Sequence, residues 1–296
     1  MAILLLIGLG GCGAEGTSPK PEKVFGSQGI GPGEFVNPRA VAVGPDGAVY
    51  VIDKTARVQR FSADGEYETY WRMPEWQAGK PTGVMVDEKN HVWVADTHYA
   101  RVIVYDRDGH ELERFGTNGN GPGQFIFPTD IALAPDGTRY VSEYGGNDRI
   151  SKFSAKWEYL GSFGGQGEGP ATLRRPQTLG LDKDGTLWVA DAGGHRICHF
   201  SADGKFLSSF GKIGSAPGEF KFPYGLAMCP DGTMLVSEYE NNRVQRLDRT
   251  GKCLAIWGGP GTQPGQFAEM WGVALGKDGR FYVADCKNHR VQIFRM

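Results

Sequence analysis

The chain has 296 residues, 40% of them hydrophobic, which is enough to bury a substantial core in one large all-β domain or two smaller ones. A formal net charge of −2 supplies no overall attraction to nucleic acid or to an anionic membrane surface. With 45 glycines and 17 prolines, many short strands joined by tight turns are favoured.

The chain opens with "MAILLLIGLGGCGAEGTSPKPEK", a short apolar run that ends in small residues at Cys12 and passes into a polar Gly/Ser/Pro stretch. A spanning helix needs about 18 apolar residues, so this reads as a targeting signal. Its end, "LGGC" at 9–12, resembles the lipobox of bacterial lipoproteins. The resemblance implies cleavage before Cys12, lipid modification of that cysteine, and a cell-envelope location facing the periplasm or exterior. An ordinary signal peptide is the alternative. Residues 1–20 are accordingly assigned to signal and tether, and 21–296 to the folded domain.

Next comes "FGSQGIGPGEF", Phe25 to Phe35, whose glycines suggest a phosphate-cradling loop. Such a loop requires a helix N-terminus behind it, but "VNPRAVAVGPDGAVYVID" follows, which reads as strand, turn and strand. The stretch also recurs, beginning at residues 115, 163, 210 and 257, with a degenerate copy, "WRMPEWQAGKP", from Trp71. A loop repeated at intervals of 44 to 48 residues is architecture, and its glycines supply turns.

A second feature repeats with it: a strand, an acid, a short polar turn, an arginine and another strand, as in "VYVIDKTARVQRF" and "FYVADCKNHRVQIF". The acids are Asp53, Asp96, Glu143, Asp191, Glu238 and Asp285; the arginines are Arg57, Arg101, Arg149, Arg196, Arg243 and Arg290. An acid at a strand end accepts turn amides and pairs with an arginine on the next strand, so six copies predict a structural bracket. A "P-x-[G/A]-V-x-V" strand precedes each bracket and another strand leads to the glycine loop, which makes each unit a four-stranded meander. The glycine loop, "W-V-A-D" and "N-x-R-V-Q-x-F" together resemble the NHL repeat over about residues 22–296. The resemblance implies an all-β, six-bladed propeller of four-stranded antiparallel blades. The last copy, "RVQIFRM", supplies a third strand, and "EKVFG" at 22–26 matches "LERFG" and "LSSFG", so the N-terminal strand is expected to complete blade six. Closure removes free sheet edges, and a monomer is expected.

In this topology the residue after each strand-opening proline, or its equivalent in blade six, should lie at the mouth of the central channel. Those residues are Arg39, Thr82, Thr129, Gln177, Tyr224 and Trp271. They vary from blade to blade, as a ligand-binding surface would. Blades five, six and one become consecutive on closure, which should gather Tyr224, Trp271 and Arg39 into a surface suited to a sugar ring, an aromatic group or a carboxylate-bearing peptide.

NHL-like amidating lyases hold zinc with histidines at the post-proline position, and none of the six residues there is histidine. His195 and His289 match a third such location, in "AGGHR" and "CKNHR", where one ligand per blade cannot close a site. His91 and His98 are a strand apart, roughly 20 Å. His98, His195 and His289 are read as solvent-facing turn residues away from the axis. Glu143 and Glu238 invite comparison with the glutamate of streptogramin lyases but occupy the bracket position. No metal site or cofactor is therefore expected; zinc or calcium would mark an enzyme. Cys198, Cys229, Cys253 and Cys286 lack zinc-ribbon or redox-motif spacing and read as small hydrophobes, with their disulfide status open. The reading that follows is a binding scaffold for a small molecule, glycan, peptide or envelope protein; the alternative is a lyase or hydrolase working in the channel.

Overall fold

A computed structural model describes residues 19–165 and 167–296; the expected signal and Cys12 lie outside the described residues. Six four-stranded antiparallel sheets are arranged as blades around a channel. Blade one is Pro38–Val43, Val49–Asp53, Arg57–Phe61 and Tyr67–Arg72, ordered from the channel outward. Blades two to five repeat this order from Gly83, Phe127, Pro176 and Pro223.

The burial gradient within a blade explains its sequence. The second strands, such as VYVID, VWVAD and LWVAD, are buried at every position because sheets cover both of their faces. The fourth strand of blade one, YETYWR, lies at the rim and is exposed at four of its six positions. The Pro-Asp-Gly turns join first to second strands: in blade one Gly44 N donates to Ala48 O (2.8 Å) and Gly47, at φ 86°, donates to Gly44 O (2.9 Å). Six apolar clusters form the core, one between each pair of neighbouring blades.

Blade six contains Val273–Leu275, Arg280–Asp285 and Arg290–Arg295, and its fourth strand is Lys23–Phe25. Lys23 pairs with Ile293, Val24 with Gln292 and Phe25 with Val291. Phe25 also fastens the ring through its side chain, with its ring centroid 4.9 Å from Phe61 of blade one. Deleting residues 21–26 is expected to lower the melting temperature far more than deleting 13–19. Phe25→Ala should cost about 3–5 kcal/mol in chemical denaturation. Leu254→Ala, on an exposed rim strand, should cost no more than about 0.5 kcal/mol.

The glycine loops link one blade to the next. Phe35, Phe125, Leu173, Phe220 and Phe267, the last residues of five links, are buried plugs. Gly26 and Gly258 sit at φ 87° and 96°, where a Cβ would lie 2.3 to 2.4 Å from the Phe35 or Phe267 ring. The brackets then clamp these links. In blade one the Asp53 carboxylate accepts from Val36 N (3.0 Å), Thr55 N (2.9 Å) and Arg57 Nη2 (2.8 Å). Arg57 in turn donates to the carbonyls of Ile30 (2.6 Å), Gly31 (3.1 Å) and Glu34 (2.9 Å). The same ion pair forms in all six blades, and both side chains of the Asp53–Arg57 pair are 1% exposed. Asp53→Ala should therefore cost about 3–5 kcal/mol, because it strands a buried guanidinium. Glu66→Ala, which removes the exposed partner of Lys23, should stay under about 1 kcal/mol in the same denaturation series.

Candidate functional site

The mouth of the channel is built by backbone irregularity. The pairing of first and second strands slips between Pro38 and Ala40, Pro128 and Asp130, Pro176 and Leu179, and Pro223 and Gly225. Each slip is a bulge that re-aims the residue after the proline: Arg39, Thr129, Gln177 and Tyr224. The residue before the inner strand adopts the left-handed conformation in blades one, four and five, at Asn37, Arg175 and Phe222 (φ 51°, 56° and 50°), and in blade six Glu269 does so four residues ahead of Val273 (φ 49°). In blades two and six, Thr82 and Trp271 precede the strand and are held by N–H bonds to Ala95 O (3.3 Å) and Ala284 O (3.1 Å). All six residues expected at the mouth line one cavity of about 240 Å³.

They do not contribute alike. Arg39, Tyr224 and Trp271 form one contact group: the guanidinium carbon of Arg39 is 4.5 Å from the Trp271 ring, and the Tyr224 and Trp271 rings meet edge to face at 4.9 Å. Tyr224 is buried and Trp271 half-buried. By contrast, the Thr129 hydroxyl bonds Ser142 Oγ (2.7 Å) and donates across the blade boundary to Pro176 O (3.0 Å). The Thr82 hydroxyl bonds Thr97 Oγ1 (2.7 Å). These two threonines fasten the wall, and Gln177 keeps its amide nitrogen buried without a hydrogen-bond partner.

Three further residues complete the mouth and were not anticipated. Arg175 lies 5.3 Å from the Tyr144 ring and 5.4 Å from the Tyr224 ring, and Tyr239 lies 5.1 Å from Tyr224. The available signals were the arginine before the blade-four proline in "RRPQT" and the tyrosine after the acid in both "SEY" copies. Burial lowers the Arg39 pKa from its ordinary value, with the tyrosines nearby acting in the opposite direction.

Below the mouth stands Asp130, 7% exposed, whose Oδ2 accepts from Leu179 N of blade four (2.9 Å). The corresponding residues of the other blades are Ala40, Gly83, Thr178, Gly225 and Gly272, so this departure from "P-x-[G/A]-V" was visible in "FPTDIAL". Among the described residues no cationic group offsets its burial, which pushes the carboxyl up to about 7. The folded state thus holds a proton that the unfolded chain releases near pH 4. Stability from this group is full below about pH 4 and is lost as pH rises through about 7, by at most roughly 4 kcal/mol. Asp130→Asn should flatten that decline in denaturation curves recorded across the interval.

Two of the three turn histidines differ from the solvent-facing expectation. His195 Nδ1 is 3.2 Å from Phe222 N, and His289 Nδ1 is 3.2 Å from both Asn37 N and Phe35 O. Both are half-buried and join neighbouring blades, because the left-handed turn that carries them (φ 54° at each) directs the ring across the boundary. His98 is exposed and bonds Lys80 N (3.1 Å). Among the described residues, no three His, Cys, Asp or Glu side chains are grouped to share a metal ion. Cys198, Cys229 and Cys286 are buried and Cys253 is half-buried.

The geometry defines a closed ring with a polar and aromatic mouth, and comparison with known proteins fits that class. The NHL repeat profile matches residues 173–200 and 267–294. An 87-residue stretch is 28% identical to the protein brain tumor of Drosophila melanogaster, taking in 29% of this chain and 8% of that protein. Among solved structures, a streptogramin B lyase superposes with a TM-score of 0.67 at 17% identity, over 93% of this chain and 97% of the other. A gluconolactonase from Xanthomonas campestris gives 0.67 at 13% identity, over 95% and 98%. At these identities the likeness carries the fold alone. The chain carries NHL repeats on a six-bladed β-propeller.

Proposed function

We propose that this propeller is a binding scaffold that takes its ligand at the Arg39, Tyr224 and Trp271 side of the channel mouth, held at the bacterial envelope by a lipid on Cys12. The observation that carries the binding reading is the convergence of those three side chains from blades one, five and six on one cavity. A flat apolar face beside a planar donor fork suits a small molecule, a glycan or a peptide, presented free or on an envelope protein. The envelope reading is supported by "LGGC" at 9–12. A second reading, a lyase or hydrolase in the same channel, is favoured by Asp130, because a carboxyl titrating near 7 is placed to exchange a proton with a bound molecule.

Full-length Cys12→Ser protein should move from the membrane fraction to the soluble fraction with an unchanged melting temperature; equal membrane retention would remove the anchor. Screening that protein against peptides, glycans and envelope fragments should yield a ligand whose affinity falls at least tenfold in Tyr224→Ala or Trp271→Ala. A ligand indifferent to both variants would move the site elsewhere. Turnover of a screened ligand that is lost in Asp130→Asn would select the enzymatic reading.

A further inference from the structure

We propose that the channel mouth is built for an anion carried on a flat ring, a small aromatic carboxylate, with Arg39 and Arg175 as its two recognition groups. The proposal rests on the mouth being a ligand site and specifies the chemistry it selects.

Three buried polar atoms of the mouth lack a partner: Arg39 Nε, Arg175 Nε and Gln177 Nε2. All three are donors, and none of the unpartnered acceptors among the described residues lies at the mouth. Buried donors without acceptors are costly, so the mouth favours an occupant that supplies acceptors. Among the described residues neither Arg39 nor Arg175 forms an ion pair, whereas the bracket arginines all do. Each is held instead against aromatic faces, Arg39 on Trp271 and Arg175 between Tyr144 and Tyr224. Stacking fixes the plane of a guanidinium while leaving its N–H edge free, which is the geometry that receives a carboxylate on two hydrogen bonds.

The anion sits at the rim because of what surrounds it. Asp130 lines the deeper wall and, when ionised, repels a second negative charge. Glu269 is engaged by Lys287 (3.6 Å) and leaves the arginines uncompensated. The channel of about 240 Å³ runs along the inner strands from Arg39 to Val43 and from Trp271 to Leu275, and Arg175 joins the mouth through its stacking on Tyr224.

The test uses the full chain with benzoate, benzamide and inorganic phosphate as probes in titration calorimetry, against Arg39→Gln, Arg175→Gln and Arg39→Lys. Saturable benzoate binding is expected, at least tenfold weaker in each glutamine variant and at least tenfold weaker for benzamide. Arg39→Lys, which keeps the charge but loses the fork, should fall between wild type and Arg39→Gln and guards against loss by unfolding, as does the melting temperature of each variant. Benzoate that fails to bind, binds no better than benzamide, or ignores both glutamine variants overturns the proposal, as does phosphate binding without benzoate. The underlying ligand-site reading fails separately, through a screened ligand indifferent to Tyr224 and Trp271.

Discussion

Everything else in this molecule depends on the buried acid–arginine bracket. A link of about eleven residues rich in glycine has too few side chains to hold itself, and its carbonyls would face the blade boundary without donors. The arginine supplies those donors and the acid supplies the acceptor for the first amide after the link, as Arg243 does for Ser215, Ala216 and Glu219, and Glu238 for Lys221 N. Burial pushes the carboxyls of Asp96, Glu143, Asp191 and Asp285 up, and their arginines pull them back. The bracket is therefore a matched set in which either partner alone would be costly.

Blade two shows what happens when the link decays. The stretch from Trp71 has lost its glycine pattern, and Arg101 meets the side chain of Glu75 where other blades offer carbonyls. Asp96 Oδ1 and Arg101 Nη2 are left buried without hydrogen-bond partners. The inner strand of this blade begins at Gly83 without the bulge seen in blades one, three, four and five. Its contribution to the mouth is a threonine already bonded inside the blade.

Repetition made the fold legible in the sequence. Six acids, each four to six residues before its arginine, and five glycine links recur in one order, and "EKVFG" matches its own strand type by sequence alone. Much of the mouth was legible for the same reason, because topology alone places the post-proline residue. What the repeat could not give was side-chain commitment. Thr129 looks as available as Gln177 in the sequence, yet only the three-dimensional ring shows its hydroxyl meeting Pro176 O of the next blade. Arg175 and Tyr239 fall outside the expected ring, Arg175 two positions before Gln177 on a left-handed residue and Tyr239 just past the second strand of blade five, so the repeat alone does not bring them to the mouth.

The departures from the repeat therefore carry the functional information. A position filled alike in six blades answers to a demand that every blade shares, which is architecture. At the layer below the mouth, five blades carry alanine, glycine or threonine, and glycine is required at Gly83 and Gly225, where a Cβ would lie 2.0 Å from Thr129 O or 2.4 Å from Ser237 Oγ. Closure of the ring selects small residues there, and the aspartate of blade three, although it accepts from Leu179 N, brings a carboxyl that is costly to bury. The same holds for a guanidinium stacked on tyrosines with no carboxylate to pair. Groups that the other blades do not share, and that the scaffold holds at a cost in desolvation, stand along the path of a molecule entering the channel.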